Sequence, residues 1–353
     1  MKNHILVPKV LDLHSALDFS ILLSNAEESE SFIFDFENTD RVEPFGMLMV
    51  SSEIRTLMRK YPNASAEYIN YERMLYAAEM GFFQAFGLDF GNVKVSPEGE
   101  AQFIPLTIYD RETIIRDAAQ KGIEVGDEVE EQSRSMARLL CQTDEGPVYD
   151  TLSYSIREIM RNAVEHSQAG RFGICAQHWP SQNKVEVAIL DRGIGLKKSL
   201  SVNPHLDASD DKRAINYALM PAVSGKAFKG TRIKQRGPWA NSGFGLYMTN
   251  RICRNGGTFF IATGDTGMLL TKGEGKRYFN CRFNGTAIRM VMRTDQMASL
   301  RSALDVYRKE GYEIQSKYKE IVKIDPSSAS LMLSDDFDLS TWDRLLITLK
   351  KIG

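Results

Sequence analysis

The stretch Val185-Glu-Val-Ala-Ile-Leu-Asp-Arg-Gly-Ile-Gly195 decides the reading of this chain. Val185 to Leu190 is an apolar, β-forming run, and it ends in the carboxylate of Asp191 with Gly193 and Gly195 directly behind. A strand that closes this way holds an acid at its end, beside backbone able to pass close to a flat ligand. The plainer alternative is a strand-to-loop turn, in which Asp and Gly are ordinary residues.

Upstream, an apolar stripe of Leu152, Ile156, Ile159 and Ala163 marks a long helix from Val148 to about His166. Glu158, Asn162 and Glu165 fall on another face, with Glu158 and Asn162 one turn apart. Taken alone, that pair also suits a merely solvated face. Strands are expected near Arg171 to Trp179 and Lys184 to Leu190.

Downstream, Gly243-Phe244-Gly245-Leu246 opens a helix expected over Phe244 to Arg254. Glycines at a helix start leave N–H groups open to phosphate oxygens, although a simple turn into a helix reads the same way. Further strands are expected at Thr258 to Thr263, Tyr278 to Phe283 and Thr286 to Met292, the last preceded by Gly285. Between Lys212 and Gly264 there is no acid but nine cations, Lys226 and Lys229 among them. In a chain of net charge −2 this reads as a local positive field, suited to a triphosphate before nucleic acid.

Glu158 with Asn162, then Asp191-x-Gly193-x-Gly195, then Gly243-x-Gly245, then Gly285-Thr286, resemble in order and spacing the ATP-binding domain of the GHKL superfamily, the Bergerat fold shared by gyrases, heat-shock chaperones and histidine kinases. The resemblance spans Val148 to Met292 and implies an α/β sandwich on a mainly antiparallel sheet. It implies ATP and Mg2+ as ligands, with Glu158 accepting a proton from the attacking water and Asn162 giving the metal its side-chain oxygen. It further implies that Asp191 accepts from the adenine amine with Thr286 beside it, and that the basic run, Lys226 and Lys229 included, forms a lid over the phosphates. As a plain sequence feature, Thr286 is equally a β-branched residue opening a strand. A sensor histidine kinase is not expected, since no histidine lies between residues 90 and 150.

Residues 1–91 alternate short strands with amphipathic helices near Leu11 to Asn25, Pro44 to Tyr61 and Glu72 to Phe86, an α/β pattern. Phe32-Ile-Phe-Asp-Phe36, a polar turn and a helix opening at Pro44 resemble the STAS fold of anti-sigma-factor antagonists. Phe45 stands about where that family carries its phosphoacceptor serine, so phosphorylation of this unit at the family site is not expected, and a docking or regulatory module is. Residues 92–147 read as a connector with short strands around Pro97 to Glu100 and a helix through Leu140. Residues 148–294 read as the ATP domain, and 295–353 as a tail with a helix to about Glu310 and an extended piece near Glu320 to Ile324.

At 353 residues the chain is long enough for two or three domains. Its four cysteines are scattered without metal-ligand spacing, no apolar run approaches the roughly 20 residues of a membrane span, and the N-terminus shows no secretory pattern. A cytoplasmic protein is therefore expected. The expected function is a slow Mg-ATPase acting as a nucleotide-dependent switch, with a protein partner through the STAS-like unit and a homodimer as a further possibility. The alternatives are a serine/threonine kinase of the anti-sigma-factor type and a non-catalytic ATP-gated protein.

Overall fold

The structure is a computed structural model that describes residues 2–91, 102–225, 243–297 and 299–321. The fold is mixed α/β. Its centre is a wholly antiparallel sheet in the order β6 (Phe103–Asp110), β7 (Arg171–Trp179), β8 (Lys184–Asp191), β10 (Arg277–Arg293), β9 (Thr258–Thr271).

Alternation along β8 explains why this sheet is covered on both faces. Val185, Val187 and Ile189 point to one side and join a core with α6 (Pro147–Glu165) and α9 (Gly245–Cys253). Two further helices, α4 (Arg111–Lys121) and α5 (Val125–Cys141), complete that layer, α5 lying against α6. Ala188 and Leu190 point to the other side and join Phe260, Ala262 and Phe283 beneath α1 (Leu13–Ser24) and α2 (Pro44–Lys60). That second core runs on into a parallel sheet of β1 (Lys2–Leu6), β3 (Ser31–Asp35) and β5 (Ser65–Ile69). A short parallel pair, β2 (Val10–Leu11) with β4 (Arg41–Val42), and α3 (Leu75–Glu79) complete the N-terminal unit. Two short helices, α7 (Gly195–Leu200) and α8 (Asp211–Ala218), precede α9, and α10 (Leu300–Ile321) closes the described chain. No helix among the described residues is long and apolar enough to cross a membrane.

Several expectations need correction. The helix expected over Glu72 to Phe86 is broken: α3 stops at Glu79, Gly81 turns left-handed at φ +75°, and only a single 3-10 turn at Gln84–Phe86 follows. The break lets Phe82 and Phe83 both turn inward, where they pack edge-on with Phe36. The strands expected at Tyr278 to Phe283 and Thr286 to Met292 are one strand, β10, whose pairing with β9 shifts register between Asn280 and Ala287. β9 runs on to Thr271. The stretch read as a connector gives the large sheet an edge strand, and it contains an unforeseen helix, α4, which Asp110 caps by accepting from the backbone N–H groups of Glu112 and Thr113 at 3.0 and 3.2 Å. In the tail, α10 extends to Ile321, so the start of the piece expected to be extended is helical. The Pro97 to Glu100 turn and residues 322–353 lie outside the described residues.

A buried ionic network fixes the N-terminal unit to the sheet. Fully buried Glu186 on β8 accepts from the Phe45 backbone N–H at the start of α2 (3.1 Å) and from Arg289 on β10 (2.7 Å), which also reaches Glu43 (3.1 Å). Breaking a buried pair leaves a desolvated charge unanswered. Glu186→Ala is expected to destabilise the fold by about 3–5 kcal/mol, read as a lower urea midpoint.

Candidate functional site

The large sheet, α6 and the start of α9 enclose one cavity, and the sequence-derived residues meet there. Glu158, Asn162, Asp191, Gly195, Gly243, Gly245, Leu246 and Thr286 all line it. They come from four separate stretches of the chain, which β8, β10, α6 and α9 bring to one place.

At one end stands Asp191, 6% exposed. One carboxylate oxygen accepts from the Gly193 backbone N–H at 2.8 Å. Burial pushes this acid up to about 6, while the N–H groups of Gly193 and Thr286 and the nearby Arg192 charge pull it down. Thr286 is the direct cross-strand partner of Asp191 in the β8–β10 register. Gly285 (φ +121°) makes that approach possible, because any Cβ there would overlap the Asp191 carbonyl. Two residues not foreseen from the sequence hold this end. Buried Thr263 on β9 donates to the Gly285 carbonyl (2.7 Å) and accepts from the Leu196 N–H (3.2 Å). Ser167, just past α6, accepts through its carbonyl from the Ile194 N–H (2.8 Å).

At the other end, Glu158 projects from α6 toward the first turn of α9, and Asn162, one turn on along α6, lines the same cavity. A Cβ on Gly245 would overlap one Glu158 carboxylate oxygen, so the helix start and the acid are in direct apposition. The other oxygen of Glu158 accepts from Arg157 at 2.8 and 3.2 Å. Among the described residues no side chain caps the N-terminus of α9, and its first residues, Gly245 and Leu246, line the cavity, so its positive dipole end lies at the cavity wall. Arg161, Glu165, His166, Ser199 and Ser224 also line the space. Of these, sequence periodicity singles out only Glu165. Arg161 sits one turn after Glu158 and ion-pairs with Glu165 at 3.1 Å.

Two expected site residues stand apart from the lining. Gly193 acts through its N–H on Asp191, and the Phe244 ring turns into the core against Tyr312 of α10 (5.1 Å). Lys226 and Lys229 lie outside the described residues, as do Asn241 and Ser242. The positive field read from the sequence is partly neutralised: Arg213 pairs with Asp207 and Asp210, and Arg251 with Glu310 at 2.8 Å. The arrangement offers a buried acceptor at one end, a helix N-terminus with a carboxylate and an amide at the other, and an apolar floor of Ile159, Ile189 and Ile288 between. No family model matches the chain, and no curated protein matches it.

Proposed function

We propose that this cavity binds Mg-ATP in the manner of the GHKL superfamily, and that the chain is a slow ATP hydrolase serving as a nucleotide-dependent switch. The supporting observation is convergence: residues chosen from four separated motifs line a single cavity, in the polarity an adenine nucleotide requires. The base would lie against Asp191 and Thr286. The phosphates would meet the N-terminus of α9, where the missing side chain of Gly245 lets the Glu158 carboxylate sit directly against the helix start.

The residues present fit a magnesium ion. Asn162 offers one hard amide oxygen and the nucleotide supplies the rest, which suits an ion that binds few protein atoms. When bound, the ion neutralises charge on the phosphate oxygens. The protein's own part is positional. Asp191 selects the base, α9 orients the phosphates, and Glu158 takes a proton from water. Phe45, where a STAS phosphoacceptor would stand, is 1% exposed with its ring against Phe260 (5.5 Å), so the N-terminal unit reads as a fixed regulatory layer and not as a substrate.

The test is calorimetry on the full chain with ATP, GTP and adenosine, followed by the fate of labelled γ-phosphate. ATP binding with release as free phosphate is the expected result. Label appearing on protein would instead point to a kinase. Adenosine, which has no phosphate to titrate, also reports the acid. The ionised carboxylate is the stronger acceptor for the amine, and protonation puts a competing O–H donor at that face; its ordinary value of 3.8 is raised to about 6. Affinity should therefore be complete at neutral pH and fall as pH drops through that value, by about tenfold between pH 7 and pH 5. A flat profile would remove Asp191 from base recognition.

A further inference from the structure

A second cleft lies on the other side of the sheet, between α2 and the loop that follows α6. Ser52, Arg55, Thr56 and Arg59 recur on α2 at the spacing of a single helix face, and all four line the cleft. Gln168 and Arg171 form the opposite wall. We propose that this cleft binds a phosphate monoester dianion, clasped between Arg55, Arg59 and Arg171.

Charge accounting carries the inference. Four arginines line the cleft, but Arg192 is spoken for by Glu53 (2.7 Å) and Arg171 is partly engaged by Asp110 (3.3 Å). Arg55 donates only to the Ala85 carbonyl (3.0 Å), and neither it nor Arg59 makes an ion pair among the described residues. Two guanidiniums one turn apart repel each other along a helix. Burial first, then Arg59 and Arg171, hold Arg55 below its ordinary value, so the cluster is electrostatically strained as it stands. A compact dianion relieves that strain, and the planar guanidinium fork matches phosphate oxygens. Ser52 Oγ accepts from Arg192 Nε at 2.9 Å, which leaves its own proton to donate. Asp110 and Glu112 on the rim oppose an extended polyanion and favour a single phosphate group.

The two sites lie back to back. Ser167 and Asp191 line the first cavity, and their chain neighbours Gln168 and Arg192 line the cleft. They remain separate volumes, so a ligand in one should not displace a ligand in the other.

The experiment is calorimetry of the full chain with glycerol 3-phosphate and with a short phosphoserine peptide, each with and without ADP and Mg2+. One-to-one binding of at least one probe is expected, weakened about tenfold or more by Arg55→Gln and by Arg59→Gln. Lys60→Gln, on the same helix but directed at the Ser24 and Ala26 carbonyls, should leave binding unchanged. Equal affinity for both probes assigns a small phosphorylated molecule, and a tighter peptide assigns a phosphorylated side chain. Arg59 is exposed, so its variant decides the matter should Arg55→Gln fail to fold. No binding by either probe, displacement by ADP, or equal loss with Lys60→Gln would overturn the site.

Discussion

Asp191→Asn should weaken ATP binding about a hundredfold and turn the base preference toward guanine. A carboxylate only accepts. In Asp191 one oxygen accepts from the Gly193 N–H at 2.8 Å, and beside the Thr286 N–H the carboxylate keeps lone pairs with which to meet a donor on the base. Asparagine has a single oxygen, and the Gly193 N–H claims it. The amide NH2 then faces the base, where it opposes the adenine amine and suits the guanine carbonyl. Stability should not follow affinity down. The folded-state acid is raised to about 6 from 3.8, so the unfolded chain gives up its proton first and the ionised group at pH 7 weighs against the fold. A neutral amide removes that burden. Unchanged or higher thermal stability together with lost ATP affinity therefore separates recognition from folding. Equal ATP affinity in wild type and variant would refute the adenine-end assignment.

The parts of this site legible in the sequence are those that obey a local rule. Glu158 and Asn162 share a helix face because of the 3.6-residue period, and Asp191 ends a strand whose apolar run names it. Gly285 and Thr286 mark an irregular point in a strand, although the sequence reads as a break there and the structure carries β10 straight through with shifted pairing. Thr263 gives no local signal: it sits within β9 and acquires its role only when that strand lies beside Gly285. Ser167 is an ordinary residue past a helix end until Ile194 folds onto it. Arg192 falls inside the most informative stretch of all, yet its partner Glu53 is 139 residues away, and no spacing rule reaches that far.

Arg192 also shows why the N-terminal unit belongs to the argument about function. Of its two neighbours, Asp191 lines the cavity and Gly193 holds that carboxylate through its N–H, while its own side chain crosses to α2, bonds Ser52 and Glu53 and lies over the Phe283 ring at 4.2 Å. A shift in the Asp191 to Gly195 turn pulls on the bonds that this guanidinium makes to Ser52 and Glu53. The switch we propose thus has a polar connection from the turn after β8 to the layer that would read it, beside the Glu186 network and the shared core that already join the two.

Glu158→Gln should lower Mg-dependent phosphate release by about 10²–10⁴-fold while leaving ATP affinity within about threefold. The substitution preserves shape. Glutamine can still accept from Arg157, as Glu158 does at 2.8 Å, and can still fill the space beside Gly245. What it loses is the capacity to take a proton at the oxygen that faces the start of α9. If Glu158 served only to hold Arg157 and the helix start in place, glutamine would do nearly as well and turnover would survive. If the group were instead a binding contact, affinity and turnover would fall together. Only a base acting on water yields the split of intact binding with lost release, and measuring both in the same preparation distinguishes the three cases. Phosphate release at the wild-type rate in Glu158→Gln would rule out hydrolysis by this route, whatever the cavity binds.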